Sequence, residues 1–210
     1  MTIANYADLI AAVPGWLRRG DLASIVPDFV TFAEAQLNRD LRCQQMVTRT
    51  TITIDASVVA VPTDFLAPRS VRITSFNPSK TLQWVTTEQM DDLLDFTDAN
   101  GDCPRHYTVE GSNFRFSPDP GVGPFTASLS YYAKLPPLVT NATNWLLSLS
   151  PDLYLYAALM NSAPYLRADD RLPMWSAAYQ RLVDALNATS RGEGGRLQTI
   201  PSTLRSGGTP

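Results

Sequence analysis

Residues 153–160, Leu-Tyr-Leu-Tyr-Ala-Ala-Leu-Met, are apolar or aromatic on every side of any helix they form. Ser150-Pro151-Asp152 just ahead is a strong helix start: a capping hydroxyl, a proline at the first helical position and an acid in the first turn. The run falls far short of the ~20 residues that span a bilayer. A helix without a wet face has to be covered all round. Either the rest of a bundle encloses it, or a neighbouring copy of the chain covers its outer side. Tyr154 and Tyr156 suit the second solution, since tyrosine is enriched at interfaces and closed rings of identical subunits satisfy such surfaces.

The segments at both ends of the chain supply partners for such a helix. Tyr6, Leu9, Ile10 and Val13 recur at helical spacing, and Pro14-Gly15 is expected to interrupt them. A cleaner helix starts at Pro27, with Asp28 near its positive end. Val26, Phe29, Val30, Ala33 and Leu37 form its apolar stripe; Asp28, Thr31, Glu34, Asn38 and Arg39 form its wet face. After the apolar run, Pro164 ends or kinks the helix. A last helix begins near Asp169-Asp170 with the stripe Leu172, Trp175, Tyr179, Leu182 and Leu186.

Between these lies a different pattern. Thr48 to Ile54 is β-branched and threonine-rich, as strands are, and Val58 to Val61 is a candidate hairpin partner. Val71–Thr74 and Leu82–Val85 are further short strands. Thr86–Phe96 reads as a helix, with Thr87 as its cap. Tyr107–Glu110 and Phe114–Ser117 flank Gly111-Ser112-Asn113 and read as a tight hairpin. Phe125–Leu135 is the longest strand, with Ala127, Leu129, Tyr131 and Ala133 alternating against more polar positions.

The layout predicts an α+β fold: a helical bundle from N- and C-terminal helices, an inserted, mainly antiparallel β lobe, and an extended C-terminal tail. The expected boundaries are 1–45 and 141–190 for the helical lobe, 46–140 for the β lobe and 191–210 for the tail. That tail is rich in Gly, Ser, Thr and Arg, with only Leu197, Ile200 and Leu204 as anchors. It cannot bury enough apolar surface to offset its own ordering entropy, so it is disordered or ordered by a partner. With 210 residues the chain needs no disulfide or metal staple. Met1–Ala12 has no basic n-region and reads as no signal peptide. The two cysteines, Cys43 and Cys103, form no CxxC, and a cytosolic-type protein with reduced thiols is expected.

Little in the chain points to chemistry. A net charge of −3 argues against tight nucleic-acid binding, which needs clustered Lys and Arg. The one histidine, His106, makes Cys-Pro-Arg-His with Cys103. A Cys–His pair is a nucleophile and base in some hydrolases, but no third, orienting group is evident. One His and two Cys cannot fill a structural zinc site. Asp91, Asp92, Asp95, Asp98 and Asp102 cluster; with Gly101 as the loop glycine of a calcium site, Phe96 and Tyr107 would stand at ligand positions, so the count fails. They read as a solvated acidic face or a docking patch for a basic partner. No GxxxxGK[ST], GxGxxG, GxSxG or HExxH occurs.

Many short words resemble one family. Tyr6-Ala7-Asp8-Leu9-Ile10 with Trp16-Leu17-Arg18-Arg19, and the long stretch from Ile25 to Arg42, resemble the opening of the phage head-to-tail adaptors of short-tailed bacteriophages. Val61-Pro62-Thr63-Asp64-Phe65-Leu66 and Tyr131-Tyr132-Ala133 resemble its β lobe. Asn144-Trp145-Leu146-Leu147, Pro151 to Ala157 and Ala163-Pro164-Tyr165-Leu166 resemble its C-terminal helices. The likeness runs roughly from residue 4 to 190.

The resemblance implies a structural virion protein, located in the neck and assembled in the host cytoplasm, with no catalysis, no cofactor and no membrane. It implies a dodecameric ring that binds the portal, receives the tail nozzle and forms part of the DNA channel. A mildly acidic wall would let DNA pass without sticking. On this reading Tyr154, Tyr156 and Trp175 are expected near the subunit joints. Leu197, Ile200 and Leu204 anchor the tail on the portal, and the acidic stretch of Asp91, Asp92, Asp95 and Asp98 receives the nozzle. Other readings are a head- or tail-completion protein of a long-tailed phage, a small hydrolase using Cys103 and His106, and a small non-catalytic interaction domain.

Overall fold

The periodicity of the chain switches from helical to strand and back, and the fold follows those switches. A computed structural model describes residues 3–96, 103–121, 124–166 and 170–196, with side chains for all of these but 94–96 and 190–196. The chain divides into two units, Met1–Gln45 with Leu135–Pro210, and Met46–Lys134. The fold is α+β.

The helical unit contains α1 (Tyr6–Leu17), α2 (Val26–Asp40), α4 (Trp145–Leu149), α5 (Pro151–Leu166) and α6 (Leu172–Arg196). α5 is its centre. Leu153, Tyr154, Leu155, Ala157, Ala158, Leu159, Ser162 and Ala163 are buried against α1, α2, α4 and α6. The bundle thus covers most of the all-apolar helix without help from another copy. The α2 stripe Val26, Phe29, Val30, Ala33 and Leu37 is buried as its spacing predicts. In α6, Trp175, Tyr179 and Val183 face the core, whereas Leu172, expected in the stripe, is exposed in the first turn.

Two helix boundaries differ from the sequence reading, and at a third Pro164, expected to end or kink the helix, lies in the last turn of α5. α1 does not stop at Pro14-Gly15. Proline removes only the bond its own N–H would make, and α1 ends within one further turn. The stop comes at Arg18, in the left-handed conformation with φ 55°, where the N–H groups of Arg18 and Arg19 bond Gly15 O at 3.2 Å and Pro14 O at 3.0 Å. α5 runs past Pro164 to Leu166. α6 continues to Arg196, into the segment expected to start the tail, since each residue added to an existing helix gains a bond without a new nucleation step.

The β unit is built from β1 (Val47–Ile54), β2 (Val58–Ala60), β3 (Phe65–Ile73), β4 (Lys80–Thr81), β5 (Gln83–Trp84), β6 (His106–Glu110), β7 (Asn113–Ser117) and β8 (Phe125–Ala133), with α3 (Thr87–Phe96) between β5 and β6. They form two sheets, ordered β1-β8-β3-β4 and β2-β7-β6-β5. All pairings are antiparallel except the short parallel β5–β6. The inward residues of both sheets share one core: Ile54, Val71, Ile73, Ala127, Leu129 and Tyr131 from the first, Tyr107, Phe114 and Phe116 from the second.

β6 and β7 close the tight hairpin read from the sequence, Gly111 taking the positive φ of 60° that its turn requires. Val58 to Val61 is not the hairpin partner of β1. β1 pairs with β8 over its whole length and β2 pairs with β7 in the other sheet, because the three residues Asp55-Ala56-Ser57 serve as a crossing between sheets rather than a turn within one. Leu82–Val85 does not form one strand either; only Gln83–Trp84 within it is strand, β5, and β4 just before it belongs to the other sheet. Thr86, not Thr87, caps α3: its Oγ1 accepts the Gln89 N–H at 3.3 Å while the Gln89 side chain accepts the Thr86 N–H at 3.2 Å.

One buried side chain ties the helical unit together. Asn144 Oδ1 accepts the Leu147 N–H at 2.9 Å, capping α4, while its Nδ2 donates to Pro136 O at 2.9 Å and Tyr154 Oη at 2.6 Å. Asn144→Ala is expected to cost about 3 kcal/mol, the loss of a cap plus an unmet acceptor at the buried Tyr154 hydroxyl, visible as a lower urea midpoint.

Candidate interaction surfaces

The polar centre of the helical unit extends from Asn144 to α2. Glu34, expected on the wet face of α2, is buried, and its carboxylate accepts the Leu138 N–H at 2.8 Å. It also accepts the Tyr154 hydroxyl. Asn38, one turn on, accepts the Leu135 N–H at 2.8 Å. Both side chains satisfy backbone donors of the segment where the chain re-enters this unit, donors that burial would otherwise leave unpaired. A second clasp joins α2 to α6: Tyr179 donates to Asp40 at 2.7 Å, and Asn187 bonds Asp40 O and the Arg42 N–H at 3.0 Å and 2.8 Å. Burial raises the Glu34 pKa above its ordinary value, a shift the two hydrogen bonds only partly offset. It also raises Tyr154 and Tyr179. In the β unit Tyr131 is pushed up to about 12 by burial and by the carboxylate of Asp64.

Outside this interior lies an apolar surface. Phe32 is 57% exposed and Tyr165 54%, and they flank a cleft of about 670 Å³ that Ile25, Phe29, Pro164 and Asp28 also line. Tyr165 meets Phe29 edge-on at 6.0 Å. Trp16, at the end of α1, is 47% exposed and meets Tyr156 edge-on at 6.4 Å. The guanidinium of Arg171 donates to Trp16 O at 3.1 Å and stacks at 4.8 Å over Trp175. The ends of α1 and α5 and the middle of α2 therefore present aromatic side chains, Trp16, Tyr165 and Phe32, that the protomer does not cover. Exposed apolar side chains grouped in this way mark interaction sites.

The residues read from the sequence as interface groups separate on this map. Tyr154 is 0% exposed and Trp175 1%, so neither has surface to offer a neighbour. Of the three expected near the joints, Tyr156 alone keeps an exposed part. Trp16, Phe32 and Tyr165 were not singled out, because in a helical pattern an exposed aromatic reads like a core one. Asp91 pairs with Arg115 at 2.9 Å, which Glu110 shares at 3.2 Å, and Asp92 is exposed. Asp95 has no described side chain, and Asp98, Asp102, Leu197, Ile200 and Leu204 lie outside the described residues.

Cys103 is buried in the β core with its Sγ against Pro104 O at 3.5 Å, a position without access for a substrate. Cys43 is also buried. Among the described residues no group of three or more His, Cys, Asp or Glu side chains could hold a metal ion, and no helix is long and apolar enough to cross a membrane.

The raised pKa of Glu34 has a consequence for stability. The folded state binds the proton more tightly than the unfolded state, so folding is favoured while the carboxyl is protonated in both. That contribution is lost as pH rises from the ordinary value of 4.5 through the higher folded pKa. Glu34→Gln keeps an acceptor for the Leu138 N–H and cannot ionise. Denaturation midpoints measured across this range are expected to show a fall with rising pH in the parent that is smaller in the variant.

Comparison with known proteins bears on these surfaces. No curated protein matches the chain. A family model described as SU10 adaptor protein matches residues 4–201, which takes in both units. The chain belongs to that family, the SU10 adaptor proteins, a family of phage head-to-tail adaptors.

Proposed function

We propose that the chain is a structural, non-catalytic subunit that forms a ring of identical copies in the neck of a short-tailed phage. The ring sits between portal and tail nozzle and surrounds part of the path taken by the genome. The observation that carries this reading is the family match along residues 4–201. Twelve copies are the number the family likeness implies. A protomer with a net charge of −3 suits a wall that DNA passes without tight binding. Assembly takes place in the host cytoplasm.

The subunit joint is placed on the aromatic surface of the helical unit. Tyr156 stays in that role; Tyr154 and Trp175 give way to Trp16, Phe32 and Tyr165, whose exposure supports it. The chain beyond α6 reaches the portal through Leu197, Ile200 and Leu204. The loops of the β unit, with Asp91, Asp92, Asp95 and Asp98, receive the nozzle.

The direct test is the native mass of the protein alone and after mixing with portal. A complex carrying twelve copies is expected, and monomer alone under all salt conditions would overturn the ring. Phe32→Asp with Tyr165→Asp should abolish the ring while the protomer keeps its helical circular dichroism. Removal of residues 197–210 should weaken portal binding at least about tenfold, equivalent to 1.4 kcal/mol, and leave the protomer's thermal midpoint unchanged.

A further inference from the structure

Sheets have two edges, and a long open edge is a template for a strand from another chain. The β unit guards nearly all of its edges. β2 has three residues, and β4 and β5 have two each. The length of β3 that β4 leaves unpaired carries Pro68 and two register shifts against β8. β5 pairs with His106 and Tyr107 and leaves only residues 108–110 of β6 open on that side. β1 is the exception. It has eight residues, contains neither Pro nor Gly, and pairs with β8 from Val47 to Ile54 without a register shift. Among the described residues no hydrogen bond reaches its other side. In an antiparallel strand roughly half of the N–H and C=O groups point that way.

The register also defines the faces beside this edge. Ile52 and Ile54 lie over Ala127 and Phe125 on the core side. On the opposite side Arg49 lies across from Ser130, and Arg72 of β3 across from Ser128. The residues on that side of β1, β8 and the paired part of β3 are Ser, Thr, Val, Ala, Tyr and Arg, with no acid to balance the two arginines. Among the described residues neither arginine has an ion pair.

We infer that the outer edge of β1 accepts an extended segment of a partner protein. The segment adds as a further strand, with apolar residues continuing the core side and acids on the side of Arg49. The backbone edge supplies affinity and the alternating pattern supplies selectivity. This inference concerns a different surface from the ring joint and does not rest on the ring or its copy number.

Hydrogen exchange of the full chain, with and without an octapeptide alternating valine and glutamate, tests it. In the free chain the outward amides of residues 47–54 should exchange far faster than those of β8, which is paired on both sides. The glutamate peptide should slow them about tenfold, and a valine–lysine peptide should not. Arg49→Glu should reverse that preference. The inference would be overturned by β1 amides as protected as β8 in the free chain, by no protection from the glutamate peptide at millimolar concentration, or by equal protection from both peptides. Protection that grows with protein concentration alone would assign the edge to a second copy and would also overturn it.

Discussion

The helical unit depends on one satisfied polar chain inside an apolar bundle. Asn144 holds Pro136, Leu147 and Tyr154; Tyr154 donates to Glu34; Glu34 takes the N–H of Leu138. The bonds of this polar chain to Pro136 O and the Leu138 N–H fix the segment where the backbone returns to the bundle after the β unit. Apolar packing alone would hold α5 among its neighbours without specifying how that segment enters. A buried network does specify it, because each member is costly to leave unpaired. Glu34 carries the tension of the arrangement: as a carboxylate it is the strongest acceptor available to Leu138 and Tyr154, and as a buried charge it raises its own pKa.

The β unit solves a different problem. Its core comes from two small sheets rather than one; within the second, the rings of Tyr107 and Phe116 both meet that of Phe114. Phe65 bridges the two sheets, edge-on to Phe114 at 5.2 Å and stacked on Tyr131 at 5.7 Å. Dividing the strands between two sheets multiplies the edges to be protected, and short strands and a proline protect all but one. In a protein of an adaptor family the unprotected edge and the uncovered aromatic surface are the two separate places proposed for attachment of other chains, one through backbone hydrogen bonds and one through side chains.

Much of this was legible in the residues. The apolar run 153–160, the stripe of α2, the hairpin at Gly111 and the alternation of β8 have one strong periodic signal each, and each became the element expected. The signal failed where two local options were close in energy. Pro14 inside α1 is tolerated one turn from a helix end. Residues 55–57 could have turned one strand back on another, and instead lead to a second sheet. Thr86 and Thr87 are equivalent caps by type, and only the position of Gln89 decides between them.

By itself the sequence determined the α+β class, the helix–strand–helix order and, through its short words, the adaptor family, because periodicity and composition act over a few residues at a time. Only the tertiary structure decided which of the many aromatics face inward. Tyr154 and Trp175 are enclosed, while Phe32 and Tyr165 stand open. It also drew Glu34 and Asn38 from a wet face into hydrogen bonds about 100 residues along the chain, and left β1 with one free side. These outcomes depend on which distant segment arrives at a given face, and a pattern read along the chain carries no record of that arrival.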